Sequence, residues 1–466
     1  MNGQVASPLL GEILTAAARK RMMGMRAVMQ READFPSRLQ AQLTGLGLDP
    51  DARDYANLKI DEHFQSNRLY RSLPSGSTVP EVVIGSGVHA ATYVATRALT
   101  GKPVPYVLER AAQVGGAFAI RAADGTYPGV FNLNSRNRRG NPGLSGDNEA
   151  QLNYLPGAPI QASALSNAEY QSNADIAFVT RLTLAQYAGT RAWPGVEVTG
   201  IERQVRGDGA DDVFAVSYIR SSFSNVPRVL YTKRIIDARG QGNPKGETVA
   251  GGNVVTFPQF MQRMTGSWPL RGLRNVAVVG GGDSGRSAIE SLLGLGPQSV
   301  MAAAELDSVN RVHWYAAGVG QTYDEYCATN RGRYRAIGRY LRPDKMGNQR
   351  LTVYPTRKAS PLSLPDGPAL VNGRSYDLVI MATGNQVPKV EGLDFSYTQN
   401  VETGGRVIAK RREDDYGETV RYRVGPRANI DFDAEELRNG VADIENNRVA
   451  MFRLTTRTAA LAVKLS

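Results

Sequence analysis

Two short glycine-rich segments carry the clearest chemical signal in this sequence of 466 residues. Residues 85–90 read GSGVHA, follow the strand predicted over 81–84 (EVVI) and precede a predicted helix. In such a strand-turn-helix unit, Gly85 permits the tight turn, Gly87 lets the backbone approach a pyrophosphate, and Ala90 lets the helix pack on the strand. The free N–H groups of the helix then face the phosphates. The segment therefore predicts a dinucleotide site.

A carboxylate lies at the spacing that such a site requires. The strand predicted over 104–108 ends at Glu109, 24 residues after Gly85, where an acid accepts hydrogen bonds from the ribose hydroxyls. Gly115 and Gly116 follow, so a second stretch of backbone can approach the same cofactor. The alternative interpretation is a glycine turn in an unrelated α/β domain.

The second segment, residues 280–285, reads GGGDSG and lies between a predicted buried strand and a predicted helix. The strand that follows, 311–315, ends without Asp or Glu. The absence of a carboxylate there favours the 2′-phosphate of NADPH over NADH. Arg331, Arg333 and Arg335 are candidate phosphate ligands, and a solvated basic face explains this run equally well. A domain that keeps the fold without binding a cofactor is the alternative for the whole unit.

Three later segments end strands at small-residue turns. Residues 234–240 (RIIDARG) and 376–384 (YDLVIMATG) end in Ala-x-Gly, and a strand predicted over 421–424 leads to Gly425 and Pro426. Strands alternate with helices from about residue 80 onwards, as in parallel sheets covered by helices. We therefore predict an α/β fold with two Rossmann-like dinucleotide-binding domains, each a three-layer arrangement around a parallel sheet.

The order of these motifs resembles that of the flavoprotein monooxygenases with two dinucleotide sites, most closely their N-hydroxylating branch. That branch carries Asp-x-x-x-(Leu/Phe)-Ala-Thr-Gly followed by a proline, and residues 377–388 fit this pattern with Met381 at the Leu position. Residues 454–459 (LTTRTA) are similar to its flavin-covering helix, and residues 159–163 (PIQAS) to a segment whose glutamine lies beside the flavin ring. The likeness covers about residues 80–466.

Some features depart from the family pattern. Asn385 replaces the tyrosine that usually follows Ala-Thr-Gly, and Arg239 replaces the threonine of the first Ala-Thr-Gly turn. The fingerprint Phe-x-Gly-x-x-x-His-x-x-x-aromatic of the amine and Baeyer–Villiger branches is not found in the sequence. Those two branches therefore fit less well, and the substrate-binding residues of ornithine and lysine hydroxylases have no clear counterparts.

The resemblance implies that FAD binds at the first glycine segment and NADPH at the second. The predicted domains are a mostly helical N-terminal extension (1–79), a discontinuous FAD-binding domain (80–271 and 385–466) and an NADPH-binding domain (272–384). The candidate FAD ligands are Gly85, Gly87, Val88, Ala90, Glu109, Arg110, Gly116, Phe118, Asn134, Ser135, Arg136, Gln161, Gly425 and Pro426. The candidate NADPH ligands are Gly280, Gly282, Asp283, Ser284, Gly285, Ala382, Thr383 and Gly384. The polar run 132–137 is equally well explained as a hydrogen-bonded loop.

The same resemblance implies chemistry carried by the flavin, without an assigned catalytic side chain. NADPH reduces FAD, oxygen then gives a flavin C4a-hydroperoxide, and a nucleophilic nitrogen of a small amine or amino acid takes one oxygen atom. Two alternatives stay open. One is an FAD/NAD(P)H oxidoreductase that passes electrons to a quinone or another acceptor. The other is a non-enzymatic nucleotide-binding protein.

The amino-acid composition bears on metal sites, nucleic-acid binding and location. One cysteine, Cys327, and three scattered histidines exclude an internal disulfide, a Cys-x-x-Cys pair and a zinc cluster, so we predict no metal. The formal charge is +11, but the arginines are spread along the chain, so we expect no nucleic-acid partner. Without a long apolar run or a secretory signal, we expect a cytoplasmic protein with no membrane span. Residues 1–79 are interpreted as a packing element or a contact between copies of the chain.

Overall fold

A computed structural model gives the structure of the chain over most of its two predicted domains. The residues described are 50–70, 75–119, 155, 157–160, 165, 173–204, 213–220, 224–240, 242–246, 250–265, 272–295, 311–330, 332–343, 349–356, 358–364, 367–386, 389–393, 409–410, 420–423, 458–459, 462–463 and 465. Among them, no helix is both long enough and apolar enough to cross a membrane.

Helices and strands alternate around the two glycine segments, as the sequence predicts, and a run of consecutive strands follows each of these regions. The helices are α1 (Pro50–Tyr70), α2 (Val88–Leu99), α3 (Asn173–Tyr187), α4 (Phe257–Thr265), α5 (Asp283–Leu292) and α6 (Tyr323–Thr329), with 3-10 helices at Gly116–Ala119, Gly189–Arg191 and Gly332–Leu341. The strands are β1 (Thr78–Ile84), β2 (Tyr106–Glu109), β3 (Ala192–Pro194), β4 (Val196–Gln204), β5 (Val213–Arg220), β6 (Ser224–Asp237), β7 (Asn243–Pro244), β8 (Val254–Thr256), β9 (Asn275–Val279), β10 (Arg311–Tyr315), β11 (Leu351–Tyr354), β12 (Pro361–Leu362), β13 (Ala369–Val371), β14 (Arg374–Tyr376), β15 (Leu378–Met381), β16 (Asn385–Gln386), β17 (Ala409–Lys410) and β18 (Val420–Arg423).

The first sheet has eight strands, and five of them run parallel in the order β18-β6-β1-β2-β3. The first half of β6 pairs antiparallel with β5, which pairs antiparallel with β4. Side chains alternate between the two faces of a strand. Val83 and Ile236 accordingly pack with α2 and α3, while Val82 and Ile235 pack with β4 and β5. The parallel strands are therefore buried on both faces.

The second sheet has five parallel strands in the order β11-β10-β9-β15-β8. Val278 and Trp314 pack on one face with α4, α5 and α6. Val279 and Tyr315 pack on the other face with the antiparallel strands β13 and β14. Each domain thus has helices, a parallel sheet and antiparallel strands as its three layers, and the predicted fold class is confirmed.

Two chain segments cross between the domains, and they pair with each other. The chain leaves the first sheet through β7 and returns through β16, and these strands form an antiparallel ribbon. The Lys245 N–H donates to the Gly384 carbonyl at 2.9 Å, and the Thr383 hydroxyl donates to the Lys245 carbonyl at 3.3 Å. The two crossings therefore lie side by side and are hydrogen-bonded together.

Helix α1, from the predicted extension, packs against the first domain. The Asn67 side chain donates to two backbone carbonyls of that domain, both at 3.0 Å. On α3, the buried Arg181 forms an ion pair with Asp61 and donates to the Asn57 side chain at 3.2 Å. This part of the extension is thus a packing element of the first domain.

The most C-terminal residues described return to helix α2. Arg97 donates to the Leu465 carbonyl at 2.5 Å, and Lys102 donates to the same carbonyl at 2.6 Å. Arg97 is 2% exposed and pairs at 3.4 Å with Glu81, which is 1% exposed. A buried charge needs a partner, so this network ties the C-terminal segment to α2 and β1.

The range predicted for the first part of the FAD-binding domain, 80–271, includes two elements, β8 and α4, that pack in the second domain. Strand β8 pairs with β15 of the second sheet, and Phe257 and Phe260 of α4 lie in the core on that sheet's helical face. Both elements lie within 80–271, the range assigned to the first part of the FAD-binding domain. A three-residue strand without a glycine motif leaves little mark in the sequence, so the boundary was set too late. The remaining domain limits stay predictions.

Candidate dinucleotide sites

The first glycine segment forms the turn between β1 and α2. Gly85 has φ 99°, and its N–H donates to the Leu108 carbonyl at 2.8 Å. A Cβ atom at Gly85 would lie 2.5 Å from the Ala238 carbonyl oxygen. Only glycine fits both the backbone angle and this contact. The turn is therefore held against the end of β6, where the Ala-Arg-Gly segment begins.

A shallow cradle of bare backbone lies at the start of α2. Gly87 caps the helix with φ −78°, and among the described residues a Cβ there would have only the Gly116 Cα within 4 Å, at 3.8 Å. Gly116 has φ 65°, and its own Cβ would lie 2.7 Å from the Gly87 Cα. The two glycine runs thus touch, and the space over Gly87 is one that a side chain would fill. A helix N-terminus beside such a space fits the pyrophosphate of FAD.

The Glu109 carboxylate lies at the end of β2, against the same turn. It accepts hydrogen bonds from the Ser86 N–H at 3.0 Å, the Ser86 hydroxyl at 2.6 Å and the Ala111 N–H at 2.7 Å. Burial raises the pKa of Glu109, and these bonds and the neighbouring Arg110 partly offset the rise. The carboxylate thus lies at the end of the second parallel strand beside the glycine turn, where the predicted ribose ligand is expected, and its role as a ligand stays a prediction.

The other predicted FAD ligands divide into two groups. Val88 begins α2 and Ala90 is fully buried, and both pack in the helix-side core with Phe118. Arg110 is exposed next to Glu109. Six predicted ligands lie outside the described residues: Asn134, Ser135, Arg136, Gln161, Gly425 and Pro426.

Ser86, within the first glycine turn, is hydrogen-bonded to both Glu109 and Gly115. The sequence analysis did not identify it as a site residue. Its hydroxyl donates to Glu109 at 2.6 Å and accepts from the Gly115 N–H at 3.1 Å. The motif leaves the residue between its first two glycines unspecified, so only the small polar side chain itself could have drawn attention to it.

His89 links the first turn to the C-terminal segment. Its Nδ1 lies 3.3 Å from the Thr458 hydroxyl, in the run that resembles the flavin-covering helix. Burial lowers the pKa of His89 to about 4, so the ring is neutral at neutral pH. Within the described part of the chain its Nε2 has no hydrogen-bond partner. A neutral imidazole that donates from Nδ1 fits this environment, because it leaves only a lone pair unpaired at Nε2.

The second glycine segment repeats the first turn between β9 and α5. Gly280 has φ 123°, its N–H donates to the Tyr315 carbonyl at 2.9 Å, and its Cβ would lie 2.0 Å from the Ala382 carbonyl oxygen. A Cβ at Gly285 would lie 2.0 Å from the Gly280 oxygen, so the helix packs against the strand. The Trp314 indole donates to that oxygen at 2.8 Å. The turn is thus fixed by its neighbours on three sides.

Gly282 is the open position of this turn. It caps α5 with φ −77°, and no atom of the described residues lies within 4 Å of where its Cβ would be. The space over it therefore fits a diphosphate, as at Gly87. Asp283 begins α5 and Ser284 lies half-buried in its first turn, while Thr383 and Gly384 lie in the ribbon between the domains.

The motif aspartate, Asp377, has a structural role in the second sheet. Its carboxylate accepts from the backbone N–H groups of Arg274 and Asn275, at 2.6 and 2.8 Å. These bonds hold the beginning of β9 beside β15 and so set the strand that ends at the glycine turn. Of the predicted phosphate ligands, Arg331 lies outside the described residues, only the backbone of Arg333 is described, and Arg335 is exposed.

Solved structures with this architecture are known. The chain is similar to an ornithine hydroxylase (PvdA) from Pseudomonas aeruginosa, with 15% identity over 83% of this chain and 98% of that chain and a TM-score of 0.50. The chain shares the fold of this hydroxylase. The reduced form of that protein gives 16% identity over 83% and 100% of the two chains, also with a TM-score of 0.50. No protein-family model and no curated protein sequence matches the chain.

Proposed function

We propose that this chain is an FAD-dependent oxidoreductase that takes hydride from NADPH and oxygenates a nucleophilic nitrogen of a small amine or amino acid. The observation that carries the proposal is the pair of glycine turns, in which Gly87 and Gly282, the second glycines of the two Gly-x-Gly motifs, face open space among the described residues. At the first glycine of each turn a Cβ atom would collide with backbone, 2.5 Å from the Ala238 oxygen at Gly85 and 2.0 Å from the Ala382 oxygen at Gly280. Two separate cradles for a diphosphate support two dinucleotides in one chain.

The first turn is the proposed FAD site. Gly87 and Gly116 leave the backbone bare for the pyrophosphate, and the Glu109 carboxylate accepts hydrogen bonds from the ribose hydroxyls. The predicted ligands beyond residue 119 would complete the site around the flavin ring. When bound, FAD accepts hydride and activates dioxygen, so the side chains of this protein are required to bind and orient it.

The second turn is the proposed NADPH site. Gly282 and the N-terminus of α5 face the diphosphate, and the Ala382-Thr383-Gly384 segment lies against Gly280. The β7–β16 ribbon leads directly from this segment to the first domain. It therefore provides a short connection across which the two bound cofactors can be brought together.

The oxygenase part of the proposal rests on the motif at residues 377–388 and on the fold shared with an ornithine hydroxylase. The overall reaction consumes NADPH, a proton, dioxygen and an amine, and yields NADP⁺, a hydroxylamine and water. The family's C4a-hydroperoxide route belongs to this proposal, as does a cytoplasmic location.

Two measurements test the proposal in sequence. Purified protein should be yellow, and anaerobic NADPH should bleach its absorption near the flavin maximum. Colourless protein that takes up no added FAD would leave a non-enzymatic nucleotide-binding role. Aerobic incubation with NADPH and a panel of diamines and basic amino acids should then give a hydroxylamine. Bleaching that leads only to hydrogen peroxide with every amine, together with rapid quinone reduction, would favour the electron-transfer alternative.

A further inference from the structure

Arg286, the residue after the second glycine segment, holds its guanidinium at the middle of the glycine turn. Nη1 donates to the Gly281 carbonyl at 2.5 Å, and Nε donates to the Asn330 side-chain oxygen at 2.9 Å. Asn330 is only 1% exposed, and its own amide donates to the Tyr326 carbonyl at 2.9 Å. The arginine is therefore fixed from two sides.

The guanidinium keeps donors for a ligand. An arginine side chain has five N–H donors, and the bonds to Gly281 and Asn330 use two of them. The Tyr326 hydroxyl is a nearby third partner, since Arg286 partly offsets the rise that burial causes in the pKa of Tyr326. Among the residues that the structure describes, no carboxylate forms an ion pair with Arg286. The positive charge and two donors are thus left for an anion.

The position of Gly281 indicates which part of a bound dinucleotide would lie near the Arg286 guanidinium. Its Cβ would lie 3.2 Å from the Ala316 Cβ and 3.3 Å from the Ala317 carbonyl oxygen, so the turn touches the loop that follows β10. In this fold the adenosine ribose lies between the glycine turn and the end of that second strand. Residues 316–322 read AAGVGQT and include no acid that would repel a phosphate. The next carboxylates belong to α6, where Glu325 caps the helix together with Thr322.

We propose that Arg286 binds the 2′-phosphate of NADPH and makes the second site prefer NADPH to NADH. This rests on the proposed function, because it requires a dinucleotide at the second turn. The earlier candidates 331, 333 and 335 belong to a segment that follows Asn330, and Arg286 reaches the turn itself. Each charge-assisted bond to the phosphate changes affinity about 10- to 150-fold.

Calorimetry with 2′,5′-ADP and 5′-AMP tests the assignment without a flavin readout. The wild-type protein should bind 2′,5′-ADP at least about tenfold more tightly than 5′-AMP. Arg286→Gln should lose that difference while its affinity for 5′-AMP stays unchanged, because only the phosphate contact is removed. Arg286→Lys keeps the charge without the planar fork, so it should retain part of the preference.

Two matched variants separate this role from general charge. Arg335→Gln tests the exposed arginine at the near end of the 332–341 helix. Arg339→Gln removes the same charge beside Tyr340, whose hydroxyl bonds to the Leu293 carbonyl at the far end of α5. Both should keep the wild-type preference.

The outcomes distinguish the two levels of the proposal. A wild-type protein that binds neither nucleotide contradicts the proposed function at the second turn. Equal binding of both nucleotides contradicts only the role of Arg286. An Arg286→Gln variant that loses both nucleotides equally, or a loss of preference in Arg335→Gln instead, also overturns the assignment. Thermal unfolding of each variant checks that it is folded.

Discussion

Replacing Gly282 with valine should block NADPH and leave the flavin in place. Within the part of the chain that the structure describes, no atom lies within 4 Å of the position of the new Cβ. Because φ −77° with ψ −171° also suits any residue, we expect the folded chain to accept the side chain without collision. Valine is a poorer N-cap than glycine, which costs about 0.5–1 kcal/mol. For a domain of this size that lowers the melting temperature by no more than about 4 °C.

The effect on affinity should be far larger than the effect on stability. The added methyl groups would occupy the space that the diphosphate needs, so backbone N–H groups at the start of α5 could no longer reach it. A hydrogen bond to a charged group contributes about 1.5–3 kcal/mol, so each bond that is lost lowers the affinity for NADPH by about 10- to 150-fold. Anaerobic stopped-flow reduction at increasing NADPH concentration measures this as a rise in the apparent Kd.

A matched control separates this effect from the addition of a side chain in general. Gly200 in β4 also has no described atom within 4 Å of its Cβ position, and it lies in a strand that pairs with β5, away from both turns. NADPH should therefore reduce the flavin of the Gly200→Val variant with the same apparent Kd as in the wild type. Reduction of Gly282→Val at wild-type NADPH concentrations, with full flavin content, would refute the reasoning about the second turn.

Three further predictions concern the first domain. Gly87→Val should fold but lose FAD, because among the described residues its Cβ meets only Gly116, at 3.8 Å, and would occupy the space proposed for the pyrophosphate; full flavin content by absorbance after gel filtration would contradict this. Asp61→Asn should lower the free energy of unfolding by about 1.5–3 kcal/mol, because it weakens the bond to the buried Arg181. Urea titration measures this loss, and an unchanged free energy of unfolding would show that the α1 contact is unimportant. His89→Gln should flatten the pH dependence of stability. The unfolded chain binds a proton near pH 6.5 and the folded chain only near pH 4, so wild-type stability is lost as the pH falls through this window, by up to about 1.4 kcal/mol per unit. Parallel curves for the two proteins in denaturant titrations at pH 4.5–7 would rule out this role of His89.

Local signals account for the parts of the fold and sites that were predicted correctly. The two glycine segments each combine a tight turn, an apolar strand and a helix within about fifteen residues. The hydrophobic periodicity and the turn residues therefore indicate the same strand-turn-helix unit. The spacing of Glu109 from Gly85 follows from the same unit. The Ala-x-Gly turns at 238–240 and 382–384 lie at the two glycine turns because parallel strands end at the same edge of a sheet.

Contacts between distant residues account for what the sequence did not show. Arg181 meets Asp61 across 120 residues, and His89 meets Thr458 across 369, without any local pattern at either partner. The side chain of Arg286 was missed for a different reason. It lies one position past the motif, and only its bonds to Gly281 and Asn330 show that it turns back towards the glycines.

The return of the C-terminal segment to α2 also bears on how the protein is made. Ribosomes add about 5–20 residues per second, so roughly 20–75 s separate the emergence of α2 from that of Leu465, which Arg97 and Lys102 must reach. Strands β8 to β15 of the second sheet are contiguous in the chain and need nothing that is synthesised later. We therefore expect the second domain to fold on the nascent chain first, while the first domain waits for the segment that contains Leu465. A pulse-labelled chain truncated before residue 458 should accordingly contain a protease-resistant second domain beside a first domain that is still digested.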